Sequence, residues 1–331
     1  MSTNQTNIPA GGLRKLMNWG IFFLLCLIWG SSFILMKLGM FDTSGKPLLS
    51  AFQVAALRIL SAGLAMLPFA RAAFKKLPDA KTRKLVSLSG LWGSFFPVFL
   101  FCLAESKIDS ALAGVINAMT PLFTLLIGTL FYSAVIPGRK WMGIIIGFCG
   151  CLLLFFHSTQ TLHATAYYGL YAVLATVFYG MNVNLVRNRL LHAPSLDIAA
   201  MAFVFLSIPA LIVLLATGYF SLPLSTQPFV IATAASITLG VFGTAIASVL
   251  FYVLVKRTGI VFPSLVTYGI PFVAICWGVY FGEKVSPTQL LAMLIILMGV
   301  YLVNMKMPAP LRNAKKMLLR KQQHSKYNSK V

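Results

Sequence analysis

Arg58 lies inside a largely apolar stretch that runs from Ala51 to Ala70. An arginine keeps its proton there, and a cation in an apolar medium needs a carboxylate, helix-end carbonyls or a bound anion. Two readings stand: a snorkelling or interhelical clamp, or a contact to a substrate or a gate. Four polar clusters share its setting. Ser31 and Ser32 follow Trp29 and Gly30, while Asn182 and Asn184 follow Tyr179 and Gly180. Asn117 and Thr120 precede Pro121, and Thr267 and Tyr268 precede Pro271. A proline inside a helix frees a carbonyl and bends the axis, so Pro121 and Pro271 are candidate helix breaks that lend backbone groups to a ligand. The clusters could ring one site, with Trp29, Tyr179 and Tyr268 as its walls. The alternative for each is interhelical hydrogen bonding, small-residue contact or aromatic packing.

These residue types bind and pack; they do not make a catalytic set. The sequence has no Ser-His-Asp grouping, HExxH, Walker A loop or paired intramembrane acids, so neither an enzyme nor a primary pump is expected. His157, His163, His192 and His324 are scattered. Cys26, Cys102, Cys149, Cys151 and Cys276 fall in apolar stretches without a CxxC pair, as reduced packing residues do. No metal-ligand set and no cofactor follow. Asp42, Glu105, Asp109 and Glu283 lie near the ends of apolar stretches, none in the middle of one. That disfavours a deep carboxylate proton relay and leaves facilitated diffusion, exchange, or coupling through shallower groups.

The elements that must position these residues are membrane-spanning helices. Of 331 residues, 59% are hydrophobic and 10% charged, against about 45–50% and about 25% in soluble domains. A span needs about 20 apolar residues. Ten are expected, near 18–41, 50–70, 85–104, 110–132, 139–157, 166–187, 197–217, 229–254, 259–281 and 287–304. The net charge of +21 then acquires a direction. Twenty-two of the 27 Lys and Arg fall in the two termini and in alternate connections, and only Lys46, Lys107 and Lys284 in the others. By the excess of cations in cytoplasmic loops, both termini are expected in the cytoplasm.

Shifting the chain by 150 residues superposes Gly30 on Gly180, Trp29 on Tyr179, Lys37 on Arg187, Gly90 and Gly93 on Gly240 and Gly243, Lys107 on Arg257, Pro121 on Pro271, Gly128 on Gly278 and Pro137 on Pro287. The expected organisation is an arm at 1–17, a first five-helix repeat at 18–157, a second at 166–304 and a basic tail at 305–331. Five spans per repeat is an odd number, so the second repeat enters the membrane from the opposite face. Inverted repeats of this kind characterise secondary transporters, with the substrate near the midplane between them. Channels also contain inverted repeats, but a channel wants a continuous polar stripe or filter.

Several segments resemble the EamA family of the drug/metabolite transporter superfamily. They are Trp29-Gly30-Ser31-Ser32-Phe33 with Lys37, and Ala56-Leu57-Arg58-Ile59-Leu60 with Ala62. Asn117-Ala118-Met119-Thr120-Pro121-Leu122 within Ala111 to Gly128, and Phe281-Gly282-Glu283-Lys284 before Pro287, complete the set. Ser133 departs from the acidic residue expected at the matching junction of the first repeat, and the Lys-rich tail is a second departure. The resemblance implies an all-α fold of ten helices, a central cavity lined by both halves, and export or exchange of small metabolites such as amino acids in the plasma membrane of a bacterium. A lipid or isoprenoid-carrier flippase could share the fold.

Two partner expectations complete the picture. The tail from Lys306 to Lys330 carries eight cations and one aromatic residue, Tyr327. That suits anionic headgroups at the inner surface rather than nucleic acid. Gly143 and Gly147 form a GxxxG stripe, which is either a homodimer seam or an internal packing face.

Overall fold

The computed structural model describes residues 10–77, 79–132, 138–156, 162–258 and 261–304. The basic tail, Ser133, Pro137 and His157 lie outside them. The described helices are α1 (Ala10–Met40), α2 (Ala51–Lys76) and α3, which runs through Ala80–Gly90, Leu91–Phe95 and Phe96–Glu105. Helix α4 comprises Ser110–Asn117 and Thr120–Tyr132, followed by α5 (Gly138–Phe156), α6 (Leu162–Arg189) and α7 (Ser195–Ala216). Helix α8 comprises Gln227–Gly240, Val241–Ile246 and Ala247–Thr258, α9 comprises Val261–Ser264 and Val266–Tyr280, and α10 is Pro287–Asn304. Seven of these, α1 to α4 and α6 to α8, are long and apolar enough to cross a membrane; α5, α9 and α10 contain shorter apolar helices. Large side chains such as Leu24, Leu130, Phe131, Ile145, Leu215 and Leu294 point outward, as suits helices bathed in lipid.

Local chemistry sets the helix starts and stops. Ser50 and Gln53 form a capping box at the head of α2, and Ser286 and Gln289 exchange the same two bonds at α10, each pair satisfying N–H groups the helix cannot. Asp79 accepts from the Thr82 N–H at 2.8 Å to start α3. Its carboxyl is held below the ordinary range by the Thr82 backbone and hydroxyl. Helix α9 ends in a Schellman turn: Glu283 N–H bonds Gly278 O at 2.8 Å and Gly282 N–H bonds Val279 O at 3.1 Å. Gly282 takes φ +84° there, a conformation that costs glycine little.

Packing follows the 150-residue offset. Gly30 of α1 approaches α9 so closely that a side chain would strike Val273, and Gly180 of α6 approaches Phe123 and Thr124 of α4 in the same way. Residues 30 and 180, and 273 and 123, are each 150 apart. Likewise α2 packs on α8 as α7 packs on α3, while α2 meets its own counterpart α7 and α5 meets α10. The Gly143–Gly147 stripe is taken up inside the chain. A methyl on Gly299 of α10 would lie 2.5 Å from Gly147 N and 2.6 Å from Gly143 O. Both neighbours are backbone and cannot turn aside. Gly299→Ala should therefore destabilise the protein by about 1–3 kcal/mol, read as a lower thermal midpoint in detergent.

The free cysteines divide in a way their composition did not indicate. Cys26, Cys102 and Cys151 are buried, but Cys149 and Cys276 face outward.

Candidate functional site

Two short π-helical segments organise the interior. Leu91–Phe95 interrupts α3 and Val241–Ile246 interrupts α8. They begin 150 residues apart, directly after Gly90 and Gly240. A π-turn takes one carbonyl out of the i to i+4 ladder, and such turns concentrate at functional sites. In α3 the cause is legible: Pro97 offers no N–H to the carbonyl of Gly93. In α8 the matching carbonyl, that of Gly243, accepts from the Trp29 indole N–H at 3.1 Å. Ser32 stands against Gly243, and Asn182, its counterpart in the offset, stands against Gly93. The Ser89 hydroxyl donates to Asn182 Oδ1 at 2.6 Å, and the Tyr252 hydroxyl hydrogen-bonds to the same pair.

Arg58 projects from α2 into this region and is 7% exposed. Its Nε donates to Thr244 Oγ1 at 2.7 Å, on the α8 π-turn, and Nη1 lies 3.7 Å from Met36 Sδ on α1. Cys102 of α3 also points at Met36 Sδ, 3.5 Å away, and Tyr179 of α6 stacks on Phe101 with ring centres 6.1 Å apart. Among the described residues no ion pair involves Arg58; the three present belong to Lys37 and Lys76. A buried guanidinium answered by a hydroxyl and a thioether retains charge for which an anion is the natural partner.

The remaining polar clusters lie elsewhere. Asn184 Nδ2 donates to Thr124 O at 2.8 Å and Gly180 O at 2.9 Å, clamping α6 to α4. Thr120 Oγ1 donates to Asn117 O at 2.8 Å across the break at Ala118 and Met119 that precedes Pro121. Pro271 sits within the second piece of α9, whose break falls earlier, at Leu265. Ser31 accepts from the Trp277 indole at 2.8 Å and lines an open cleft of about 270 Å³ with Leu27, Ile28, Leu35, Phe242 and Gly243. Tyr268 lines a second, apolar cleft of about 340 Å³ with Phe22, Leu265, Phe272 and Tyr301, and Thr267 is half-buried beside it. Trp29, Ser32, Arg58 and Asn182 are thus brought to the π-turns and Tyr179 to Phe101 just beyond one of them, while Asn184 clamps α6 to α4 and Asn117 and Thr120 bridge the break within α4. Asn184→Ala should lower stability by about 1 kcal/mol, typical of a hydrogen bond between membrane helices, measured as a shift in thermal midpoint.

A charged cluster at the end of α1 escaped sequence reasoning as a unit. Lys37 Nζ lies 3.1 Å from Glu283 Oε1 and 3.4 Å from Asp109 Oδ1. Glu283, turned back by Gly282, also accepts the Ser110 and Ala111 N–H groups at 3.0 and 3.1 Å. It thereby caps α4 in place of Asp109, whose carboxylate faces Lys37. Burial works against ionisation of Glu283, but Lys37 and these two N–H groups outweigh it and hold the carboxyl below the ordinary range.

Apolar spanning helices, a twofold internal repeat and a polar centre built from both halves define a membrane transporter. The model of the EamA-like transporter family matches residues 18–156 and again 167–305, and the chain belongs to that family. It is 27% identical over 306 residues to the "Uncharacterized inner membrane transporter YedA" of Escherichia coli (strain K12), covering 87% of this chain and 90% of that one. To the "Probable amino-acid metabolite efflux pump" of the same strain it is 26% identical over 273 residues, covering 81% and 80%. A solved structure described only as "Crystal structure of protein" superposes with a TM-score of 0.58 at 18% identity, covering 87% of this chain and 96% of that one. At that identity the likeness concerns the fold alone.

Proposed function

We propose that this chain is a secondary transporter of ten spans, arranged as two inverted five-helix repeats (18–157 and 166–304), that exports or exchanges a small metabolite by alternating access. The observation that carries this reading is Arg58: a buried cation with no carboxylate in ion-pair contact among the described residues, placed where repeat-related π-turns loosen two backbone carbonyls. Discontinuous helices that offer backbone groups to a ligand near the midplane are the recurrent device of such carriers. Guanidinium, hydroxyl and aromatic groups together suit an anionic or zwitterionic metabolite, such as an amino acid or a related compound. One relative's name, "Probable amino-acid metabolite efflux pump", accords with that class. Trp29, Ser32, Tyr179 and Asn182 complete the binding region. The distribution of Lys and Arg supports an orientation with both termini on the cytoplasmic side of a bacterial inner membrane and the basic tail against anionic headgroups. A homodimer would have to use a face other than the Gly143–Gly147 stripe, which α10 covers.

The test is uptake by proteoliposomes of the full chain, offered a pool of labelled amino acids and related metabolites, beside a fluorescent-lipid translocation assay. Saturable uptake of at least one water-soluble compound is expected. Lipid translocation with no such uptake would overturn the proposal in favour of a flippase on the same fold.

A further inference from the structure

Glu105 is the last residue of α3 and is 1% exposed. Its Oε2 accepts a long bond, 3.4 Å, from the Ser110 hydroxyl. Its Oε1 is buried and meets no donor among the described residues. Charged and titratable groups surround it from each neighbouring element. Helix α1 brings Lys37 and the α9–α10 turn brings Glu283, while Asp109 at the head of α4 lies against Lys37. Helix α2 brings Arg58 at longer range. Cys102 lies one turn back on α3, and Lys107, two residues on, is exposed. Lys37 acts on Glu105 through space, without an ion-pair contact, and is itself within ion-pair distance of Glu283 and Asp109.

Even with Arg58 counted at longer range beside Lys37, three carboxylates outnumber two cations by one, and a buried excess of negative charge is the arrangement that a shared site relieves by taking up a proton. Glu283, paired with Lys37 and two N–H groups, has reason to stay ionised. Glu105, with one oxygen unanswered, does not. We propose that Glu105 is a proton-binding site and that its protonation keeps closed a latch joining α1, α4 and the α9–α10 turn. This inference rests on the transporter reading above. The step is a simple proton transfer. When Glu105–COOH gives its proton to water, the carboxylate left behind competes with Glu283 for Lys37. Glu283 then slackens its hold on the Ser110 and Ala111 N–H groups, and the end of α4 is freed. Net proton movement and opening at this mouth are thereby tied to one group.

The experiment uses the full chain in lipid nanodiscs and needs no substrate, so it stands or falls separately from the export reading. pH-difference infrared spectra should show a protonated-carboxyl C=O band at neutral pH that disappears as pH rises. Glu105→Gln should remove that band, and Asp109→Asn should leave it. Over the same pH range, hydrogen-exchange protection of the Ser110 and Ala111 amides, corrected for intrinsic rates, should fall in the wild type and stay constant in Glu105→Gln. A band that survives in folded Glu105→Gln, or protection that does not follow the band, would overturn the proposal. So would a wild-type spectrum with no titrating band, whether or not the variant folds, or one that responds to sodium instead of pH.

Discussion

Arg58→Gln abolishes saturable transport at physiological substrate concentration while leaving the protein folded: this is the largest functional effect expected. Glutamine keeps an N–H donor for Thr244 Oγ1, the 2.7 Å partner of the guanidinium, and removes a buried charge that no carboxylate contacts among the described residues. Folding should therefore be kept or slightly improved. A ligand anion, however, loses its countercharge. Truncating one partner of a buried, hydrogen-bonded charge pair costs about 2–4 kcal/mol, equivalent to a roughly 30- to 700-fold rise in the half-saturating concentration. Thr244→Val should produce a smaller loss of the same kind, since it only releases the orientation of the guanidinium. Concentration-dependent uptake in proteoliposomes, alongside a thermal melt of each variant, checks both. Unchanged kinetics in folded Arg58→Gln would leave Arg58 as an interhelical clamp.

Glu283→Gln is the second large effect, and it falls on stability. The substitution removes the 3.1 Å partner of Lys37 and weakens the acceptor of two N–H groups at the head of α4. A loss of about 2–3 kcal/mol is expected, since hydrogen bonds to charged groups and partly buried ion pairs are both weakened. A double-mutant cycle with Lys37→Gln should show coupling of about 1–3 kcal/mol between the two sites. The pH dependence has a definite sign. The folded carboxyl of Glu283 lies below its unfolded value, so its contribution is complete above the ordinary carboxylate range and is lost as pH falls through the folded value. Wild type should lose stability in acid more steeply than Glu283→Gln, measured by thermal midpoints across acidic pH.

The apolar stretches, the repeat offset and Arg58 were all legible in the sequence, because each is written in residue type and spacing. A transmembrane helix announces itself by length and apolarity, and a lone arginine in one stands out. The partners of Arg58 were less accessible. Thr244 and Met36 lie 186 and 22 residues away in the chain, and nothing in their type marks them. The π-turns had a partial signal in Gly90, Gly93, Gly240 and Gly243, which superpose at the offset, but only Pro97 gives a local cause for one of them. The polar clusters before Pro121 and Pro271 were visible as pairs, yet the helix breaks fall at Ala118–Met119 and at Leu265, so the two are not equivalent in space. The charged latch shows the clearest limit. Lys37, Glu105, Asp109 and Glu283 were each legible near helix ends, but their convergence depends on Gly282 turning Glu283 back onto α4. That is a tertiary fact set by one positive φ angle.

Counterflow tests alternating access around the Arg58 region most directly. Proteoliposomes are loaded with an excess of an unlabelled transported metabolite, and labelled metabolite is added outside at low concentration. A carrier that must return through a substrate-bound state should accumulate label transiently above equilibrium, and the overshoot should vanish in Arg58→Gln. Label that merely equilibrates, with no overshoot and no dependence on internal substrate, would contradict alternating access and point to a channel-like path.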